Sequence, residues 1–169
     1  FGVSGPSSAA MEMAVANLLW PGRSVLVLRN GWFSGRFAEM AAGVGAEVTV
    51  LSVPEGRPIT AEAVAAKLSE RSFDVVTMVQ GETSCGVWTA DLERIVGIAR
   101  AHGALTVVDA VCTLSTMPLK KDLWGIDVVF TGSQKGLSSL PGVSLISFSD
   151  AAWEAAARRP SPKPHWCLD

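Results

Sequence analysis

Short continuous apolar runs alternate along this chain with longer segments whose apolar residues recur every three or four positions. The runs at 25–28, 47–51, 75–79, 105–108, 128–130 and 143–148 have the length and β-branched content of strands. Segments 9–19, 33–42, 61–70, 92–102 and 150–157 carry the helical pattern. Their ends are punctuated: Trp20-Pro21-Gly22 stops the first helix, Thr60 offers an N-cap to the third, and Gly103 closes the fourth. Strand–helix alternation of this kind predicts an α/β fold, a mostly parallel sheet with helices on both faces. The last strand is reached by a short loop containing Pro141, with no helix between, which permits an antiparallel strand and makes the sheet mixed.

Composition narrows the class. Of the 169 residues 49% are hydrophobic, enough for a sizeable core, and the length fits one domain. A formal net charge of -2 provides no basic field and argues against a nucleic-acid partner. No apolar run approaches the roughly 20 residues that cross a bilayer, so no membrane role is expected. The three cysteines, Cys85, Cys112 and Cys167, are odd in number and lack metal-like spacing; a reduced, cytoplasmic protein with no metal is the expectation. The chain opens inside a Gly/Ser-rich loop and closes after the proline-rich stretch 160–164, and reads as a fragment of a longer protein. Residues 1–159 form one domain in this reading, and 160–169 begin a connection to another.

In open sheets of this type ligands bind beyond the carboxyl ends of the strands, and the polar signals collect there. Asn30-Gly31-Trp32-Phe33 follows the run at 25–28, and Gln80-Gly81-Glu82-Thr83-Ser84-Cys85-Gly86 follows that at 75–79. The run at 105–108 ends in Asp109, and that at 126–130 leads to Thr131-Gly132-Ser133-Gln134-Lys135. A lysine in a partly desolvated pocket loses its proton readily and becomes a nucleophile, the basis of Schiff-base chemistry. A carboxylate at a neighbouring strand end suits an electron-sink cofactor held between the two.

Each of these residues also has an ordinary reading. Asp109 is either a helix cap or the partner of a protonated ring nitrogen, and Lys135 either a solvated loop lysine or the nucleophile. The loop Gly5-Pro6-Ser7-Ser8 running into a helix offers N–H groups and hydroxyls to a phosphate, or simply caps the helix. Phe33 stacks on a flat ring or is an ordinary aromatic at a helix start. Ser84 donates to a phenolic oxygen or stabilises the turn at Gly86. Glu82 carries no chemistry beyond loop structure. Trp32, Trp88 and Trp124 read as core or interface anchors, His102 as a favourable charge at a helix end, and Cys85 and Cys112 as small packing residues.

Taken together, Ser8-Ala9-Ala10-Met11-Glu12, Asn30-Gly31-Trp32-Phe33, Gly81-Glu82-Thr83-Ser84-Cys85-Gly86-Val87, Val107-Val108-Asp109-Ala110-Val111, Trp124-Gly125-Ile126-Asp127 and Gly132-Ser133-Gln134-Lys135 resemble the class V aminotransferases of the fold-type I pyridoxal-phosphate enzymes. The alanine–glyoxylate/serine–pyruvate branch is the most similar. The resemblance implies the large domain of that fold and pyridoxal 5'-phosphate as cofactor. It implies that Lys135 carries the cofactor as a Schiff base and that Asp109 pairs with the pyridine nitrogen. Phe33 and Val111 would flank the ring, Ser84 would approach its hydroxyl, and Ser7, Ser8 and Gln134 would hold the phosphate.

The implied activity is transamination from an alanine- or serine-like amino acid to a 2-oxo acid such as glyoxylate or pyruvate, in a homodimer. Two positions depart from the family pattern. Pro6 removes a backbone donor from the phosphate loop, and Gln80 stands where His or Asn is common, on the substrate side. The family's substrate-carboxylate arginine and its partner-subunit phosphate contacts lie outside these residues. Alternatives are a lyase, desulfurase or epimerase of the same family, or an inactive phosphate-binding α/β module. Gln134, where desulfurases place a histidine, argues against the desulfurase.

Overall fold

The computed structural model describes residues 1–160, 162 and 165–169. A seven-stranded sheet forms its centre, in the order β1-β9-β8-β7-β4-β2-β3. The parallel part comprises β2 (Ser24–Arg29), β3 (Glu47–Ser52), β4 (Val75–Val79), β7 (Leu105–Asp109) and β8 (Val128–Gly132). At one edge β9 (Val143–Phe148) runs antiparallel to β8, and β1 (Gly2–Ser4) runs antiparallel to β9. The sheet is therefore mixed, for the reason visible in the sequence: no helix separates β8 from β9.

Strand alternation divides the core in two. Val25, Val27, Val75, Val79, Val107, Val128 and Phe130 face one way, onto α1 (Ser7–Leu18), α2 (Trp32–Gly43) and α6 (Asp150–Ala157). Leu26, Leu28, Val76, Met78, Val108 and Val129 face the other, onto α3 (Ala61–Glu70) and α4 (Leu92–Ala101). Both faces of the central strands are thus buried, which is why these strands read as unbroken apolar runs instead of alternating ones.

Several elements differ from the sequence expectation. Helix α1 starts at Ser7, two residues early, because Pro6 already holds φ -71 at the N-cap and the serines continue from it. The three-residue edge strand β1 carries no apolar run of its own; β9 templates it. The segment after β4 is a miniature hairpin, β5 (Gly81–Glu82) against β6 (Val87–Trp88), and a single-turn helix α5 spans Lys121–Trp124. A turn of 3-10 helix covers Trp166–Leu168. The expected linker at 160–164 includes Ser161, Lys163 and Pro164, which lie outside the described residues. His102 is the C-cap of α4, its Nδ1 2.9 Å from the Ile98 carbonyl oxygen, as its helix-end reading requires.

The buried carboxylate just before β8 has partners on both oxygens. Asp127 accepts from the Thr106 amide and hydroxyl through Oδ2 and from the Ser149 hydroxyl through Oδ1, at 2.9, 3.1 and 2.8 Å. Ser149 in turn accepts from the Ala152 N–H and caps α6, so one side chain fixes β7, β8 and the last helix together.

Candidate active site

The cleft lies where the strand alternation and register place it. Val79, Asp109 and Phe130 stand side by side across β4, β7 and β8, and all three side chains line one cleft. Its volume is about 700 Å³ counting the space open to solvent at its mouth. Ser7 and Ser8 border it from the first turn of α1, Phe33 and Arg36 from α2, and Val111, Cys112, Gln134 and Lys135 from the loops after β7 and β8. Seven of the eight residues singled out in the sequence therefore meet in one place.

Ser84 is the exception. Its hydroxyl donates to Glu82 Oε1 at 2.7 Å and accepts from the Trp32 N–H at 2.9 Å, and it does not line the cleft. The turn role, not the ring-facing one, is what the geometry gives it. Its neighbour Thr83 borders the cleft instead, with Cys112 Sγ 3.9 Å from its hydroxyl. The hairpin β5–β6 sets this choice of neighbour, and no periodicity in six loop residues announces it.

Lys135 reaches the cleft from the loop joining β8 to β9. Its neighbour Gly136 is forced to be small: a Cβ there would lie 2.4 Å from the Leu114 carbonyl oxygen. The Gly136 N–H donates to Val111 O at 3.2 Å, and Ser115 Oγ donates to Gly136 O at 2.6 Å. These contacts hold the lysine loop against the loop that follows Asp109. Lys135 itself is exposed at the cleft mouth, so the partial desolvation expected from the sequence is not supplied by these residues. The reason is geometric: the loop extends past the strand ends, where the walls stop. Gly136→Ala is expected to cost about 1–3 kcal/mol through this backbone clash, measured by urea unfolding, and to displace Lys135 in the same step.

Asp109 is 6% exposed, and its Oδ1 accepts the Val111 N–H at 2.8 Å. Burial raises its pKa, the Val111 N–H opposes the rise, and the Glu82 charge adds to it, leaving the carboxyl at about 7. A cation placed against it would hold it ionised. Of its two sequence readings, helix cap or partner of a ring cation, the first does not apply, because no helix starts there: the loop after β7 is a series of turns.

Glu82, to which sequence reasoning gave no chemistry, organises the opposite wall. It is 1% exposed and accepts from the Phe33 and Ser34 N–H groups at 3.3 and 2.7 Å, and from the Ser84 N–H and hydroxyl at 3.3 and 2.7 Å. Burial pushes its pKa up, but the bonds from Ser84, Ser34 and Phe33 outweigh that and hold it below the usual carboxylate value. The N-cap of α2 is Gly31, which has no side chain to cap with. A Cβ at Gly31 would lie 2.4 Å from Glu82 Cγ, so the glycine makes room for a carboxylate delivered from another element. Glu82 thereby sets the helix turn that carries Phe33. Glu82→Gln is expected to lower stability by about 1–3 kcal/mol, the loss of a charged acceptor from buried donors, read by thermal unfolding.

Gln80 is buried and does not line the cleft. Its Nε2 donates to Pro118 O at 2.8 Å and its Oε1 accepts from Thr113 Oγ1 at 2.7 Å. It braces the loop that follows Asp109 and contributes nothing to the cleft wall. Among the described residues no group of three or more His, Cys, Asp or Glu side chains is placed to hold a metal, and no helix is long and apolar enough to cross a membrane.

The end of the cleft at α1 is built for an anion. Ser7 Oγ is buried without a hydrogen-bond partner, and α1 has no side-chain cap and no acidic residue in its first turn. A Cβ on Gly132, the last residue of β8, would sit 1.9 Å from Ser7 Oγ and 3.1 Å from Gln134 Oε1. A glycine, an orphaned hydroxyl and a free helix N-terminus together form a cradle of the kind that takes phosphate. These residues fit pyridoxal phosphate: a lysine for the aldehyde, a buried carboxylate for the ring nitrogen, an aromatic for the ring face and the cradle for the phosphate.

Comparison with known proteins shows the family. The Aminotransferase class-V family matches residues 3–161. The small subunit of a soluble hydrogenase from Synechococcus sp. (strain PCC 6716) is 38% identical over 160 residues, 92% of this chain and 41% of that protein. Alanine–glyoxylate aminotransferase of Rattus norvegicus is 39% identical over 150 residues, 89% of this chain and 36% of that protein. A crystal structure of alanine–glyoxylate aminotransferase from Nostoc sp. superposes on the whole chain with a TM-score of 0.96 at 36% identity, and the chain covers 45% of it. The chain thus spans less than half the length of these relatives. With its mixed sheet and strand-end cleft, the chain belongs to the class V aminotransferase family.

Proposed function

We propose that the protein carrying this chain is a pyridoxal-phosphate-dependent transaminase. It would move an amino group from an alanine- or serine-like amino acid to a 2-oxo acid such as glyoxylate or pyruvate. The observation that carries the reading is the convergence of Lys135, Asp109, Phe33 and the Ser7/Gly132 cradle on one cleft. In this reading residues 1–159 are the cofactor-binding large domain and 160–169 lead toward a C-terminal small domain. Two copies of the complete protein would pair, and the exposed Trp32 and Trp88 are apolar anchors available to such a contact. A cytoplasmic location accords with free Cys85, Cys112 and Cys167.

When bound, the cofactor supplies a carbonyl carbon for Schiff-base exchange and a ring that accepts the electron pair left when the substrate Cα loses its proton. The chain's own residues do the rest. Lys135 Nζ would hold the cofactor through its carbonyl carbon and, when free, would be the base that carries a proton between the substrate Cα and that same carbon, across the nitrogen that joins them. Asp109 keeps a proton on the ring nitrogen by offering it a buried anion. Phe33 and Val111 confine the ring, while Ser7, Ser8 and Gln134 hold the phosphate end.

Borohydride reduction of the complete protein tests the reading. Mass spectrometry should find the reduced cofactor on the peptide containing Lys135. Mixing with single amino acids should then discharge the cofactor's long-wavelength absorbance for a transaminase donor, with a keto acid as product. Label on another lysine, or no label at all, would sink the proposal. Ammonia, sulfide or racemised substrate in place of the keto acid would point to the other reactions of the family.

A further inference from the structure

Arg36 has no role in the account so far, yet it lines the cleft at the end of the cradle. Its Nη1 donates to Ser8 Oγ at 2.9 Å. Its guanidinium carbon lies 4.0 Å from the Trp32 ring centre and 5.4 Å from that of Phe33, so the two aromatics hold the fork in place. Among the described residues no carboxylate is paired with it by an ion pair or hydrogen bond, whereas Arg23, Arg71, Arg94 and Arg158 each have one. An arginine held at the cleft with only a hydroxyl as hydrogen-bond partner keeps further N–H donors available to an anion.

Ser8 shows what that direction is for. A hydroxyl has one proton and two lone pairs. With Arg36 donating to its oxygen, the proton of Ser8 is left to point elsewhere, and the neighbouring Ser7 Oγ is a buried, unpartnered group of the same cradle. The N-cap position of this helix is Pro6, which contributes no N–H. A donor missing from the backbone is thus offset by a charge delivered from α2.

We infer that Arg36 and Ser8 act as one anion-binding unit at the phosphate end of the cleft. Arg36 fixes Ser8 as a donor toward the phosphate and supplies the positive charge that the proline-capped turn lacks. The inference rests on the pyridoxal-phosphate reading but goes beyond it, because it assigns part of the phosphate affinity to one side chain of the second helix.

The test compares ligands with and without a phosphate, using the complete protein stripped of cofactor. Pyridoxal phosphate, pyridoxal and inorganic phosphate serve as probes, with binding followed by absorbance and, for phosphate, by competition. Arg36→Gln should weaken pyridoxal phosphate and inorganic phosphate about 10- to 100-fold, the range expected for a charged hydrogen-bonding partner, while changing pyridoxal by less than about twofold. Ser8→Ala should weaken phosphate-bearing ligands as well, and the double variant should lose less than the product of the two single losses. Arg36→Lys, which keeps the charge and not the fork, should fall between.

Equal weakening of pyridoxal and pyridoxal phosphate would mean that Arg36 merely shapes α2, and would overturn the inference. So would unchanged phosphate affinity in a variant whose circular dichroism and unfolding midpoint match the parent. Failure of the parent protein to bind pyridoxal phosphate at all would instead overturn the cofactor reading, so the two failures are distinguishable.

Discussion

Replacing Lys135 with alanine is expected to lower transamination on the order of 10⁴-fold or more, because one amine serves both as the covalent anchor and as the proton carrier at Cα. The loss should appear in kcat more than in KM. Added methylamine should restore part of the proton transfer but not the anchoring, since a free base lacks the effective concentration of a tethered one. The loop geometry makes this a clean experiment. Lys135 is exposed and takes part in none of the ion pairs among the described residues, so its side chain holds no part of the fold together. The alanine variant should therefore unfold at the parent's urea midpoint. A variant that keeps multiple turnovers, or that retains cofactor after borohydride at the same peptide, would contradict the assignment.

Asp109→Asn should produce the second large effect, lowering activity while raising stability toward neutral pH. Activity is expected to fall about 10²- to 10³-fold, the size found when one preorganised electrostatic partner is removed. In the cofactor-free protein burial holds the Asp109 carboxyl at about 7, above an unfolded value near 4. A raised carboxyl favours the folded state fully below about pH 4, and that contribution is lost as pH rises toward and past 7. The asparagine variant does not titrate and lacks this loss. Its unfolding free energy relative to the parent should therefore increase from pH 4 to 7 by roughly 1.4 kcal/mol per unit at most. Urea melts at three pH values would show it. A difference that stays flat across that window would mean that Asp109 is not the buried acid described above.

These two residues, and most of the fold, were legible in the chain because buried parallel strands leave continuous apolar runs. A charge that ends such a run, as Asp109 does, stands out against it. The elements that were not legible lack such a background. β1 is three residues long and owes its existence to pairing with β9, which lies far away in sequence. β5 and β6 are two residues each. Which of Thr83 and Ser84 turns toward the cleft depends on that small hairpin, and adjacent hydroxyl residues look equivalent in sequence. Glu82 and Arg36 were missed for a different reason. Glu82 caps a helix 48 residues earlier in the chain, and Arg36 looks like any arginine on a helix until α1 is packed against it. Gln80 shows the reverse error: a polar residue beside a site motif faced the protein interior.

The antiparallel strip at the sheet edge has a kinetic consequence. β1 lies on β9, the Gly5 N–H donates to Gly142 O at 2.9 Å, and Ser144 Oγ bonds Gly5 O across a separation of 139 residues. Through that seam the first turn of α1 meets Gly132, so the anion cradle exists only when two segments far apart in the sequence have met. Contacts of such long range are costly to close and tend to form late in folding. A phosphate-bearing ligand at the seam would bind the native state and not the transition state, and is expected to slow unfolding while leaving the folding rate unchanged. Cofactor would then act as a clasp, lengthening the life of the folded protein as well as equipping it for chemistry.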